Sequence, residues 1–304
     1  MIPLRSFIIA LATIWLAAKP ASAEETYVLT PPKSADVGEH VRISNELSDD
    51  TDFSLLDADG KVVQSKSEKT IRTSVYVQTV LAKEKNKNPS KLSVTFEKAS
   101  MTKDGSDAEV GLAGKTIIIE RQGKSNTFRY EDGTEPAQGP LEFLNKQFKA
   151  GGESDASWDI AFFPKAPVKI EETWSADLEE AARQLADRET PVHFDLSKSK
   201  GTCRLLKVYK KEGRTFAVIS VDAELALQDV GAAPNVIKFS PGSVFTFKGT
   251  IEKCTSGGPD LCTNSLRMAM YATAKQAVPG DKELTLKMKA NGTETESHET
   301  IPAK

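Results

Sequence analysis

The sequence predicts a mainly β protein of the α+β class: antiparallel, curved sheets of two weakly repeated units, with two short helices. Three observations lead there. Apolar and polar residues alternate along five segments, the period of a strand with one face on a core. Short runs rich in Gly, Asp and Lys separate the segments, which favours hairpins over long crossovers. Only two stretches carry apolar residues at helical spacing.

The first element is not part of the fold. The chain begins MIPLRSFIIALATIWLAAKPASA, with Arg5 as a positive n-region and Ala21-Ser22-Ala23 as a small-residue cleavage site. Phe7 to Ala18 is an apolar stretch of 12 residues. At 1.5 Å per residue it reaches about 18 Å, too short for a ~30 Å hydrocarbon core. Residues 1–23 therefore read as a secretory signal peptide cleaved near Ala23. The mature chain, Glu24 to Lys304, is expected to be periplasmic or extracellular, and it contains no transmembrane run. Loss of Arg5 and Lys19 with the leader takes the formal charge from −3 to −5. A mildly acidic chain excludes a general nucleic-acid binder.

Residues 24–150 form the first β-rich unit. Asp57-Ala58-Asp59-Gly60 joins two short strands as a hairpin. Ile71, Thr73, Val75, Val77, Thr79 and Leu81 alternate with Arg72, Ser74, Tyr76 and Gln78, and Leu92, Val94 and Phe96 follow the same rule. Arg121-Gln122-Gly123-Lys124 makes a further hairpin. Pro140 to Ala150 reads as a helix burying Leu141, Leu144 and Phe148, with Phe143 as a further candidate, stopped by Gly151-Gly152.

Residues 151–290 form the second unit. Its helix, 176–188, has Ser175 as N-cap and Leu178, Ala181, Ala182, Leu185 and Ala186 as its apolar face. Lys211-Glu212-Gly213-Arg214 turns one strand into a long partner in which Ala217, Ile219, Val221, Ala223, Leu225 and Leu227 share a face. Leu266, Met268, Met270 and Ala272 mark another strand, and Leu284, Leu286 and Met288 another. Residues 291–304 read as a disordered tail.

The units repeat weakly. Val37-Gly38-Glu39-His40-Val41 matches Ile170-Glu171-Glu172-Thr173-Trp174, and Val80-Leu81-Ala82-Lys83-Glu84 matches Val208-Tyr209-Lys210-Lys211-Glu212. Duplication competes with chance likeness between two β-rich halves. The stretch FPKAPVKIEETW, followed by KVYKKEGRTFAVISVDAEL, resembles a group of uncharacterised exported bacterial β-rich proteins. Their motif reads Pro-x-x-Pro-Val-Lys-Val-Gly-Asp-x-Trp. Pro164, Pro167, Val168, Lys169 and Trp174 fit it, while Glu171 replaces the usual Gly. The resemblance implies export and a β fold but no reaction. The architecture is also loosely similar to LolA-like periplasmic lipoprotein carriers, an analogy of fold alone.

Chemistry-bearing patterns are sparse. No nucleophile elbow, zinc-protease, phosphate-loop or C-x-x-C motif occurs. No catalytic, metal-binding or cofactor-binding residue is expected. His40, His193 and His298 read as surface or strand-edge residues. Asp49, Asp50 and Asp52 read as a solvated turn, with a weak calcium site as the rarer alternative. Cys254 and Cys262 flank TSGGPDL, and a hairpin there makes them the candidate disulfide. Cys203 is then a buried thiol; its pairing with either of the other two, or with another chain, stays open. Lys83, Lys85 and Lys87 at one loop tip and Lys210 and Lys211 at its counterpart are candidate contacts for an anionic partner. Solvated charge that blunts strand ends is the plainer alternative.

The function expected is that of an exported, non-enzymatic protein binding an apolar or envelope ligand, such as a lipid, on a curved β-sheet. A structural or interaction protein of the cell envelope is the alternative. A hydrolase using Asp159, Glu171 and Glu172 near Trp158 and Trp174 is weaker, because both tryptophans serve equally as core aromatics. Oligomeric state is left open.

Overall fold

The computed structural model describes residues 25–31, 35–84, 89–108, 110–122, 125–148, 158–186, 191–231, 236–256, 261–278 and 282–301. Residues 1–23, which the sequence reads as a signal peptide, lie outside those residues, as do Lys85, Lys87 and the 151–157 junction.

Strands β1 (His40–Leu56), β2 (Val62–Lys83), β3 (Pro89–Lys103), β4 (Ser106–Ala108), β5 (Thr116–Gln122) and β6 (Ser125–Tyr130) lead to helix α1 (Gln138–Gln147). A 3-10 turn (Trp158–Phe162), β7 (Thr173–Ser175) and helix α2 (Leu178–Ala186) follow. The chain ends in β8 (Val192–Lys211), β9 (Arg214–Val230), β10 (Ile237–Lys238), β11 (Val244–Cys254), β12 (Cys262–Val278) and β13 (Lys282–Thr300). All strands join one open, curved antiparallel sheet in the order β6-β5-β3-β2-β1-β13-β12-β11-β9-β8-β7, with β4 on β3 and β10 on β9.

The last strand is central. Residues 291–300, expected as a disordered tail, form half of β13 and pair with β1 on one side and β12 on the other. Their composition hid this, because Thr, Glu and Ser give no apolar alternation. What orders them is a partner strand on both sides through Ser297, with β1 alone continuing to Thr300, which takes up most of the segment's backbone hydrogen-bonding groups. One sheet therefore runs through both units.

Two cores sit on the same face of that sheet. In the first, Phe143 and Leu144 of α1 pack with Tyr76, Phe96, Ile117 and Phe128. Phe148 meets Tyr76 edge-on at 5.5 Å between ring centres. In the second, α2, the 3-10 turn and Leu29 cover Cys203, Leu205, Ile219, Phe247, Ile251 and Leu266. The α2 cap differs from expectation. Ser175 belongs to β7, and Asp177 accepts the Glu180 N–H at 3.2 Å, so the helix starts at Leu178. Gly201 lets the helix approach β8: a Cβ there would lie 2.8 Å from Leu178 Cδ2.

The first pair of repeat segments folds alike. The Gly38 N–H donates to Val80 O, and the Glu171 N–H donates to Leu205 O. Glu39 and Glu172 each turn a carboxylate back to accept the N–H of the residue three earlier, Asp36 at 2.9 Å and Lys169 at 2.8 Å. Gly38 has φ +85° and Glu171 φ +71°, so the missing Gly does not change the turn. The second pair is out of step. Val80 corresponds to Leu205 through these bonds, three residues before the Val208 that sequence matching selected.

One strand is turned over relative to its pattern. On β2 the buried face carries Thr70, Arg72, Ser74 and Tyr76, while Ile71, Thr73, Val75 and Val77 lie half-exposed on the outer face. Register decides this: Tyr76 stands across from Ile43, which belongs to the first core.

Candidate functional site

Between the two cores the inner face becomes polar. Its rows follow from the register. Ser74, Asn45, Glu296 and Asn264 stand in one line across β2, β1, β13 and β12, ending at Ile251 on β11. The next line brings Tyr76, Ile43, His298, Cys262 and Lys253 together. On the other side lie Arg72, Leu47, Glu294 and Leu266. Lys253 is 2% exposed and Arg72 is 5% exposed. Buried cations require partners, and the seam supplies some of them. Arg72 Nη2 lies 3.4 Å from Asp49 Oδ2. His298 Nε2 lies 2.9 Å from Glu296 Oε1.

The seam is under-satisfied. Arg72 Nε, Ser74 Oγ and Asn264 Oδ1 are buried without a hydrogen-bond partner. Burial alone would push the His298 pKa down, but its hydrogen bonds to Cys262 and Glu296 outweigh that and carry it up to about 11. Burial pushes the Cys262 thiol up, against an opposing hydrogen bond with His298. His298 is thus a half-buried residue of the seam rather than part of a surface tail. His40 and His193 are nearer to expectation, hydrogen-bonded to Thr79 at 2.8 Å and to Asp229 at 2.5 Å.

Toward the other end of the same strands the seam opens into a cavity of about 470 Å³. Phe53, Phe245, Met268, Met270 and Ala290 give it an apolar lining, and Arg72, Asp49, Lys66, Glu68 and Lys146 add charge. Lys66 and Lys146 are already paired, with Glu68 and Glu142, both at 2.9 Å. Arg72 is the lining residue with an unpartnered N–H. No sequence signal marked this trough. Met268 and Met270 share the alternating face of a strand and Phe53 precedes the Asp57–Gly60 turn, so spacing along the chain does not bring them together.

Lys83 pairs with Asp36 at 3.1 Å. Lys210 and Lys211 are exposed on the β8–β9 hairpin. β2 and β8 run in the same direction, so the two tips share one end of the sheet. Six strand steps separate them, about 29 Å at ~4.8 Å per step, so Lys83 and the hairpin lysines do not form one patch. Cys254 and Cys262, the candidate disulfide pair, are unbridged in this structure, as is Cys203. Lys253, not Cys254, stands across from Cys262. Neighbouring residues of a strand point to opposite faces, so Cys254 packs on the outer face with Phe216 and Leu261. Asp49, Asp50 and Asp52 lie inside β1 rather than in a turn, which sends Asp49 to the trough and the other two to the outer face. Glu171 pairs with Arg204, and Glu172 accepts the Lys169 N–H, so these carboxylates serve a turn and do not converge as a hydrolytic pair. The Trp174 Nε1–H donates to Phe162 O at 3.0 Å beside the second core. The Asp159 side chain lies outside the described residues.

No protein-family model matches the sequence. No curated protein matches it. Among solved structures it is similar to one described as "lipid-protein interactions in lipovitellin", with TM-score 0.33 and 9% identity. The overlay covers 88% of this chain and 26% of that one, so the chain spans about a quarter of that structure's length. An overlay at this score says nothing about a ligand.

Proposed function

We propose that the protein is exported and binds an amphipathic small molecule, such as a lipid with an anionic or hydrogen-bond-accepting head, in the trough between its two cores, without chemistry on that ligand. The observation that carries this is the pairing of an apolar lining (Phe53, Phe245, Met268, Met270) with a buried guanidinium whose Nε–H lacks a partner (Arg72). About 470 Å³ is within the ~300–1,000 Å³ range of small-molecule sites. An unpartnered buried donor costs about 1–3 kcal/mol, and a ligand acceptor at that point removes the cost.

The test is titration of the mature chain with a fluorescent fatty acid. Saturable binding is expected, weakened by Met268→Asp at the apolar lining and by Arg72→Gln at the polar end. Unsaturable binding, or binding indifferent to both changes, overturns the reading. A folded, ligand-free chain that captures a defined envelope component instead supports the structural alternative.

A further inference from the structure

We propose that Cys262, Glu296 and His298 form a structural transition-metal site, with zinc as the ion their chemistry favours, that fastens the C-terminal strand into the sheet. The site rests on register. β12 and β13 pair through Thr263 and Ser297. The residues flanking that pair face the inner side: Cys262 and Asn264 on β12, Glu296 and His298 on β13. This two-by-two square sets four donor side chains around one point. The Cys262 Sγ and the donor atoms of Glu296 and His298 all lie within 4.8 Å of one another. Tetrahedral zinc, with bonds of ~2.0–2.3 Å, holds its donors about 3.3–3.7 Å apart. His298 Nε2 and Glu296 Oε1, 2.9 Å apart, would open by a few tenths of an ångström to admit the ion.

A second observation points to a missing occupant. Asn264 Oδ1 is buried with no partner, while Asn264 Nδ2 lies 3.8 Å from Cys262 Sγ. A half-turn of the amide exchanges those two atoms and brings the oxygen toward the metal position, as a fourth donor. Ser74 Oγ, in the same row, is also buried and unpartnered.

The donor set selects the ion. One thiolate, one imidazole and one carboxylate suit zinc and disfavour calcium or magnesium, which take all-oxygen shells. On binding, the thiol and the imidazolium release their protons, and two anionic donors offset the dication. Lys253 faces the site from β11, and Glu294 lies two residues along β13, so the surroundings carry one further charge of each sign. A catalytic Cys-His-Glu triad fits less well, because Cys262 is 3% exposed and no substrate atom reaches it.

The experiment is cobalt titration of the metal-stripped mature chain, followed in the visible and near-ultraviolet. The expected spectrum has intense tetrahedral d–d bands and a thiolate-to-cobalt charge-transfer band, both lost when zinc is added. The Cys203→Ala, Cys254→Ala double variant keeps only Cys262 and is expected to keep the band. Cys262→Ser is expected to lose it. A wild-type chain that folds without these bands overturns the site, as does a band lost in the double variant. If Cys262→Ser does not fold, the wild-type and double-variant spectra decide by themselves. None of these readouts depends on ligand binding in the trough.

Discussion

Glu171 holds a φ of +71°, a region that costs an L-residue with a Cβ roughly 1–2 kcal/mol and a glycine almost nothing. Its compensation is an exposed ion pair with Arg204, a type worth about 0–1 kcal/mol. Strain outweighs the pair, so Glu171→Gly is expected to raise the denaturant midpoint by the equivalent of ~0.5–1 kcal/mol. A lower midpoint would mean that Arg204 contributes more than an exposed pair does. At Gly38, where the same turn carries glycine at φ +85°, substitution by Ala is expected to cost about 1 kcal/mol in the same assay. The sequence comparison found both turns because their signal is local: one residue at left-handed φ and one Glu that bonds back. His298 carried no such signal. Its role depends on Cys262 of a neighbouring strand, 36 residues earlier in the chain, and spacing along one segment says nothing about that meeting.

Elements were legible where one face is apolar. The alternation in β9, β12 and β3 names the face that is buried, because those strands lie under a helix or beside a core. β2 and β13 defeat the same rule. Their inner faces line the polar seam, so Arg72, Ser74, Glu296 and His298 are turned inward while Val75 and Val77 are not. Periodicity finds a strand but identifies its buried side only if the core there is apolar. Removing residues 291–304 tests the central place of β13. The truncated chain is expected to lose its cooperative unfolding transition, because β1 and β12 lose their shared partner; a tail could be cut without changing the melt. For α2, Asp177→Ala is expected to cost about 1 kcal/mol near neutral pH, by loss of the N-cap. A hydrogen bond from Lys165, then one from the Glu180 N–H, holds the Asp177 carboxyl below its ordinary 3.8. A group depressed on folding stabilises fully above its unfolded pKa and loses that contribution as pH falls through its folded one. The gap between wild type and Asp177→Ala, measured by urea unfolding, should therefore close below pH 3.8.

At the scale of the molecule, two apolar cores share one face of a continuous sheet, and the strands between them carry a seam that neither core covers with apolar side chains. That division explains why the chain reads as two units and folds as one sheet. One end of the seam is closed around His298 and Cys262; the other opens into the trough beside Arg72. Each end has buried polar atoms without partners, and each therefore points to an occupant of a different kind. Fold class was readable because most strands are amphipathic. The trough was not, because its lining comes from β1, β2, β11, β12 and β13 at once, and only the register assembles them. Native mass spectrometry of the chain, purified from its native host without detergent, tests the trough most directly. The mass is expected to exceed that of the protein by one small amphipathic molecule, released on denaturation and absent from Met268→Asp. A folded wild-type chain at its bare mass, which also takes up no fatty acid when one is supplied, contradicts the trough as a binding site.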